Sequence, residues 1–241
     1  MTPFENTQPP RRPVWGWEDV VVLLGAVLPS FFVGIGLMRL LRWLAPQPFS
    51  IAAITTLTFQ LFIYAMLVGA LFFLISWKYG ERFWPALGFK FAFRGAIVSF
   101  LGGPVLAIGI SILGVAIQTR QVRDPIREMI TGRASLALVM IFGVVIAPFV
   151  EELFFRGFLL PLIARSIGAW PAIITTAILF ALPHGAQLEW AWQQLLLIAI
   201  AGAAFGYARV RTGATSASFL MHASFNATQF LSFLILRPPQ T

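Results

Sequence analysis

The sequence predicts an all-α protein, a polytopic transmembrane helix bundle of about seven spans. Two features of composition and one of arrangement carry that expectation. Of 241 residues, 59% are hydrophobic and only 11% are charged, against about 25% charged in a soluble domain. The charged residues also fall between long uncharged runs, several of which reach the roughly 20 residues needed to cross a hydrocarbon core.

The first 19 residues are polar and proline-rich (Pro3, Pro9, Pro10, Pro13) with Arg11 and Arg12, and read as a short disordered tail. Residues 20–237 then read as one membrane-embedded helical domain. Its first apolar run, Val20–Met38, is 19 residues long, too long for the apolar core of a typical signal peptide and without a small-residue cleavage site, and reads as an uncleaved span. The next run, Trp43–Trp77, is longer than needed, and Pro46 and Pro48 place its start in a loop, so the second span begins near Ile51. The 77–94 connection mixes aromatics with charges, as an interfacial belt does, and leads to a third run, Gly95–Thr119. Trp15, Trp17, Trp77, Trp84, Trp190 and Trp192 read as interface anchors on the same ground. Residues 120–133 hold four arginines with Asp124, Pro125 and Glu128, a composition suited to an amphipathic surface helix.

A fourth run, Ala134–Val150, resumes after Arg156 and continues to Arg165. As one helix from Arg133 to Arg165 it would be about 48 Å long, more than a bilayer core of about 30 Å. It is therefore expected to tilt, or to break at Pro148. Three further runs follow, Ser166–Leu188, Trp190–Ala208 and Thr212–Leu236. Gly202 and Gly206 have the spacing that lets membrane helices approach closely.

The chain has no cysteine, which excludes disulfides, thiolate ligands and a cysteine nucleophile. Its net charge of +8 comes from basic residues that flank apolar runs a few at a time, a pattern for lipid headgroups and topology and not for nucleic acid. With the N-terminus inside, nine lysines and arginines fall on the inner side against seven outside, a small excess toward a cytoplasmic N-terminus.

Against this apolar background, Glu151, Glu152 and Arg156 stand inside the fourth segment. One charged group near a bilayer centre costs roughly 2.5–3.5 kcal/mol on insertion scales, so three in six residues require partners or a task. Glu152 and Arg156 are four apart with the acid first, the favourable order for an ion pair on one face, and read as a structural clamp. Glu151 then points about 100° away. The chain's two histidines, His184 and His222, also lie in apolar runs. Phe180 is one turn before His184 and reads as packing. Asn226 is one turn after His222, where its amide can act in chemistry or bond across helices.

A hairpin folded at the Ser166–Ala169 turn sets Glu151 and His184 each about 25 Å along its helix from the turn. His222 comes from the same side, at about 13 Å, after the turn at 209–213.

A buried carboxylate, two imidazoles and a carboxamide suit acyl transfer to water. Glu151 would be the general base, His184 would orient or shuttle, and His222 and Asn226 would hydrogen-bond the oxyanion. Glu151, His184 and His222 also resemble a catalytic zinc site with an open water position, and the residues alone leave both mechanisms open. Metalloprotease His-Glu-x-x-His, serine and aspartyl signatures are missing from the spans.

Glu151-Glu152-x-x-x-Arg156, Phe180-x-x-x-His184 and His222-x-x-x-Asn226 resemble, in order, the three motifs of the CAAX-processing and bacteriocin-processing family. Its members are also called type II CAAX prenyl endopeptidases or Abi proteins. The resemblance covers about residues 134–236 and departs at none of the motif positions. It implies Glu151, His184, His222 and Asn226 as catalytic, with Glu152 and Arg156 in support. The implied fold is a bundle of seven or eight spans around a cavity open toward the cytosol. The implied activity is hydrolysis of a peptide bond in a prenylated or membrane-anchored peptide or protein. The expected location is a bacterial plasma membrane. Two other classes stand beside this one: a non-catalytic scaffold or bacteriocin self-immunity protein, whose function would survive loss of the motif residues, and a proton-coupled transporter using Glu151 and the histidines as a relay, against which the lack of inverted repeats counts.

Overall fold

A computed structural model of the chain describes residues 13–49, 51–90, 93–120, 122 and 128–235. Each expected apolar segment is a helix: α1 Trp17–Leu44, α2 Ala52–Lys78, α3 Phe93–Ala116, α4 Arg133–Ile167, α5 Ala169–His184, α6 Trp192–Thr212 and α7 Thr215–Ile235. No strand occurs among the described residues. Five of these helices, α1 to α4 and α6, are long and apolar enough to cross a membrane, and α5 is a shorter apolar helix. Large apolar side chains point outward along them, among them Phe32 at 79% and Val105 at 71% exposure. Such surfaces are stable in hydrocarbon, and the protein is an integral membrane protein.

The chain forms two compact units. One comprises Val14–Ala86 and Pro125–Phe142. There α1 packs on α2, α2 meets the first turns of α4, and Tyr64 stacks on Phe142 with ring centroids 5.8 Å apart. Residues 1–12 of the expected tail lie outside the described residues, and the rest of it is not tail-like. Trp15 is buried and so is not the headgroup anchor expected of it, while Trp17, Trp77, Trp84, Trp190 and Trp192 are exposed. Helix α1 starts at Trp17 because the Asp19 carboxylate accepts the Gly16 N–H at 2.8 Å, together with Lys78 Nζ and the Tyr79 hydroxyl at 2.5 Å each. Residues 121 and 123–127 of the surface helix expected over 120–133 also lie outside the described residues.

The other unit takes the described residues of 87–122 and 143–235. In it α3 packs along α7, α5 along α6, and α6 touches both α3 and α7. These contacts need small residues. A Cβ on Gly103 would run into the Met221 carbonyl and the Phe225 amide, so α3 and α7 approach backbone to backbone. Gly202 and Gly206 likewise seat α6 against Phe180, Ala177 and Ile173 of α5, as their spacing predicts. Gly168, at φ 84°, makes the turn between α4 and α5.

The break expected at Pro148 does not occur. Helix α4 runs unbroken through Arg133–Ile167. Instead its winding loosens into π-helical turns at Phe142–Ile146 and Leu153–Leu159, on either side of Ala147–Glu152. Pro148 has no N–H for the α-helical ladder, and the wide turn lies just before it, where that donor is missing.

Candidate active site

Glu151 and Glu152 close the short α-helical stretch between the two wide turns of α4, and Arg156 lies in the second of them. Phe180 is near the end of the regular part of α5, and His184 ends the 3-10 turn that follows. His222 and Asn226 face inward from α7. All seven belong to the same compact unit.

The centre of the cluster is Glu152, with no exposed surface. Its Oε1 accepts Arg156 Nη1 at 2.8 Å and His222 Nδ1 at 3.0 Å, while Oε2 accepts the Ser218 hydroxyl. The expected Glu152–Arg156 pair is therefore present and fully buried. Arg156 carries its second arm to α6, where Nη2 donates to the Gly202 carbonyl at 2.6 Å. The guanidinium also lies over the Phe180 ring, 4.6 Å from its centroid. Gly202 has no side chain for this reason: a Cβ there would press on both Phe180 and Arg156.

Glu151 has a different environment. Its side chain is 19% exposed, and its Oε2 lies 3.9 Å from His222 Nε2. One imidazole thus spans the two neighbouring carboxylates. His222 is held in place by Phe205, which stacks on it at 4.4 Å and 17°, and by the edge of Phe180 at 5.5 Å.

His184 reaches the cluster through Phe180, whose ring is 5.4 Å from its own. A carbonyl can only accept, so the 3.1 Å contact between His184 Nδ1 and the Phe180 carbonyl places a proton on Nδ1. The Nε2 of neutral His184 is then an acceptor. The same logic holds for His222, whose Nδ1–H faces the Glu152 carboxylate. Both histidines are oriented by Nδ1 and present Nε2.

Asn226 stands one turn from His222, and its Nδ2 donates to the Gly143 carbonyl at 2.7 Å. That carbonyl belongs to the first wide turn of α4, where the ladder leaves it available to a side chain. Among the described residues no group of three His, Cys, Asp or Glu side chains is placed to hold a metal ion.

Three contributors were not singled out in the sequence. Ser218, four residues before His222 on the same face, completes the shell of Glu152, and the spacing Ser218, His222, Asn226 was a legible signal. Phe205 and the Gly202 carbonyl had no such signal, because a stacking ring looks like any core aromatic and a carbonyl has no sequence identity.

The fold and cluster define a polytopic membrane protein with a buried carboxylate–guanidinium–imidazole network beside a partly open second carboxylate. Residues 133–228 match the family described as "Type II CAAX prenyl endopeptidase Rce1-like". This part of the chain is thus similar to a family of CAAX-type membrane peptidases. No significant match was found among curated proteins or among solved structures.

Proposed function

We propose that the protein is an intramembrane endopeptidase that cleaves a peptide bond of a prenylated or otherwise membrane-anchored substrate, with Glu151 as general base. The observation that carries this reading is the contrast between the two adjacent acids. Glu152 is wholly buried and accepts three donors, whereas Glu151 is partly open and lies beside an imidazole. One carboxylate maintains the fold, and the other is available to water.

In the proposed reaction Glu151 takes a proton from water as the oxygen attacks the scissile carbonyl carbon. His184 Nε2 accepts the second water hydrogen and fixes the attack angle. Negative charge then collects on the former carbonyl oxygen. Asn226 has a second amide hydrogen for it, the first being directed to Gly143. His222 can donate only as the imidazolium, since its Nδ1–H faces Glu152. Collapse of the tetrahedral intermediate breaks the C–N bond, and Glu151 returns its proton to the leaving amine. Lys90, Arg94, Arg165, Arg209 and Arg211 lie toward one end of the helices that carry the site, which supports a cytoplasmic opening.

The test is turnover of a panel of fluorogenic peptides, lipidated and not, by detergent-purified protein. Glu151→Gln runs beside the wild type, each with and without a chelator. Loss of turnover in the variant, with an unchanged thermal unfolding midpoint, supports the proposal. Equal turnover by the two proteins overturns it, and inhibition by the chelator would replace the metal-free route with a zinc-dependent one.

A further inference from the structure

Arg209 lies in the last turn of α6, with only 7% of its surface exposed. Arg156, the other buried arginine of this unit, has a carboxylate, a carbonyl and an aromatic face. Arg209 has none of these. Its Nε is buried without an acceptor, and its guanidinium makes no hydrogen bond or ion pair among the described residues. The described acids of this unit are committed elsewhere: Glu152 to Arg156, Glu151 beside His222, and Glu189 to Arg120 at 2.9 Å. Burying an unpaired guanidinium is strongly unfavourable, so the site calls for an anion that none of the described residues supplies.

The surroundings favour the same ligand. Gly88, at φ 67°, lies directly against the guanidinium, where a Cβ would fall on Nη2. The 87–90 loop is fastened to the start of α7 by the Thr215 hydroxyl on the Leu87 carbonyl at 2.6 Å and the Thr215 N–H on the Gly88 carbonyl at 2.9 Å. The Ser216 hydroxyl holds the Lys90 carbonyl in the same way. Lys90 extends its ammonium to the turn between α6 and α7, where a Cβ on Gly213 would lie 3.6 Å from Nζ. Arg94 and Arg211 are exposed at this same end of the helices. The group surrounds the N-terminus of a 21-residue helix, the positive end of its dipole.

We propose that Arg209 and Lys90, at the start of α7, bind the phosphate of an anionic phospholipid headgroup. The guanidinium fork fits two phosphate oxygens, and a helix N-terminus favours the same charge. The lipid source follows from position, because the ends of membrane-crossing helices meet the headgroup layer, and basic pockets between such helices take anionic lipids. The site does not use Glu151, so its test is independent of the peptidase proposal.

The experiment is native mass spectrometry of the full chain in mild detergent with equimolar phosphatidylglycerol and phosphatidylcholine. Wild type is expected to retain phosphatidylglycerol preferentially. Arg209→Gln should weaken that retention about fivefold or more, Lys90→Gln by less, and Arg42→Gln, at an exposed arginine of α1, not at all. Phosphatidylglycerol should also raise the unfolding midpoint of the wild type, with inorganic phosphate having no such effect. Equal retention of the two lipids overturns the proposal, as does equal phosphatidylglycerol retention by wild type and Arg209→Gln. Stabilisation by inorganic phosphate alone would overturn the lipid assignment in favour of a soluble ligand. Should Arg209→Gln fail to fold, the comparison of Lys90→Gln with Arg42→Gln and the two-lipid competition decide the matter.

Discussion

His222 directs Nδ1 at Glu152, 3.0 Å away, and turns its other nitrogen toward Glu151, 3.9 Å away. Adjacent residues of a helix point about 100° apart, so no side chain of α4 itself can easily touch both. A residue from a second helix can, and His222 does so from α7. The structural ion pair and the proposed base are thereby coupled through one ring, and motion of α7 would disturb both.

The two histidines should consequently respond differently to removal. His222→Ala deprives Glu152 of a buried donor, and is expected to lower stability by about 1–3 kcal/mol as well as abolishing activity. His184→Ala loses a contact to the Phe180 carbonyl and a ring contact with Phe180, on a half-buried residue that no buried carboxylate depends on. It should reduce turnover by about 10²–10⁴-fold while leaving the unfolding midpoint near that of the wild type. Equal destabilisation by both substitutions would contradict the assigned geometry.

How much of this was legible in the sequence depended on which physical signal each feature carries. The helices were readable because hydrocarbon imposes a minimum length, although only five of the seven expected spans are long and apolar enough to cross a membrane, and the motif residues were readable because charge inside an apolar run is costly. The course of α4 was not. Pro148 predicted a break, but the outcome depended on where the helix could widen, and residues 142–146 do so without any glycine-proline punctuation beyond Gly143. Trp15 was misread for a related reason, since a tryptophan beside charged residues has the same local sequence whether it faces headgroups or a protein core. At the site, pairing of Glu152 with Arg156 followed from spacing within one helix. Its contacts with Ser218 and His222 depended on how α4 meets α7, which spacing within either helix does not specify.

Removing one member of the buried ion pair should be far more damaging than removing Glu151. Glu152→Gln leaves Arg156 without its counter-charge in a fully buried position, at an expected cost of about 3–5 kcal/mol. Thermal unfolding in detergent would register this as a large drop in midpoint. The double variant Glu152→Leu with Arg156→Met should recover part of the loss, because no uncompensated charge remains. If Glu152→Gln unfolds at the wild-type temperature, the pair is not the clamp assigned to it.

Helix approach offers a test within α3. Gly103 has the α7 backbone against it, whereas Gly109 has open space where a Cβ would be. Gly103→Val is expected to destabilise by at least about 1–3 kcal/mol through overpacking against rigid backbone. Gly109→Val should be tolerated with little change. The two proteins compared by unfolding midpoint and gel-filtration profile separate a close helix contact from a general intolerance of α3 to larger residues.

Ser218 provides the sharpest test of whether the shell of Glu152 matters to chemistry. Its hydroxyl donates to the Glu152 oxygen opposite the one that receives Arg156 and His222, and the residue is fully buried. Ser218→Ala leaves that oxygen one donor short, a loss of about 1–3 kcal/mol when the site stays dry. The carboxylate would then be free to rotate, and His222 would lose its fixed orientation toward Glu151. A positioning role predicts a fall in kcat of about tenfold with KM nearly unchanged, since the substrate does not touch Ser218 in this reading. Coupling to His222 is the decisive measurement: adding Ser218→Ala to His222→Ala should cost much less than in the wild-type background. Full additivity would make Ser218 a packing residue only.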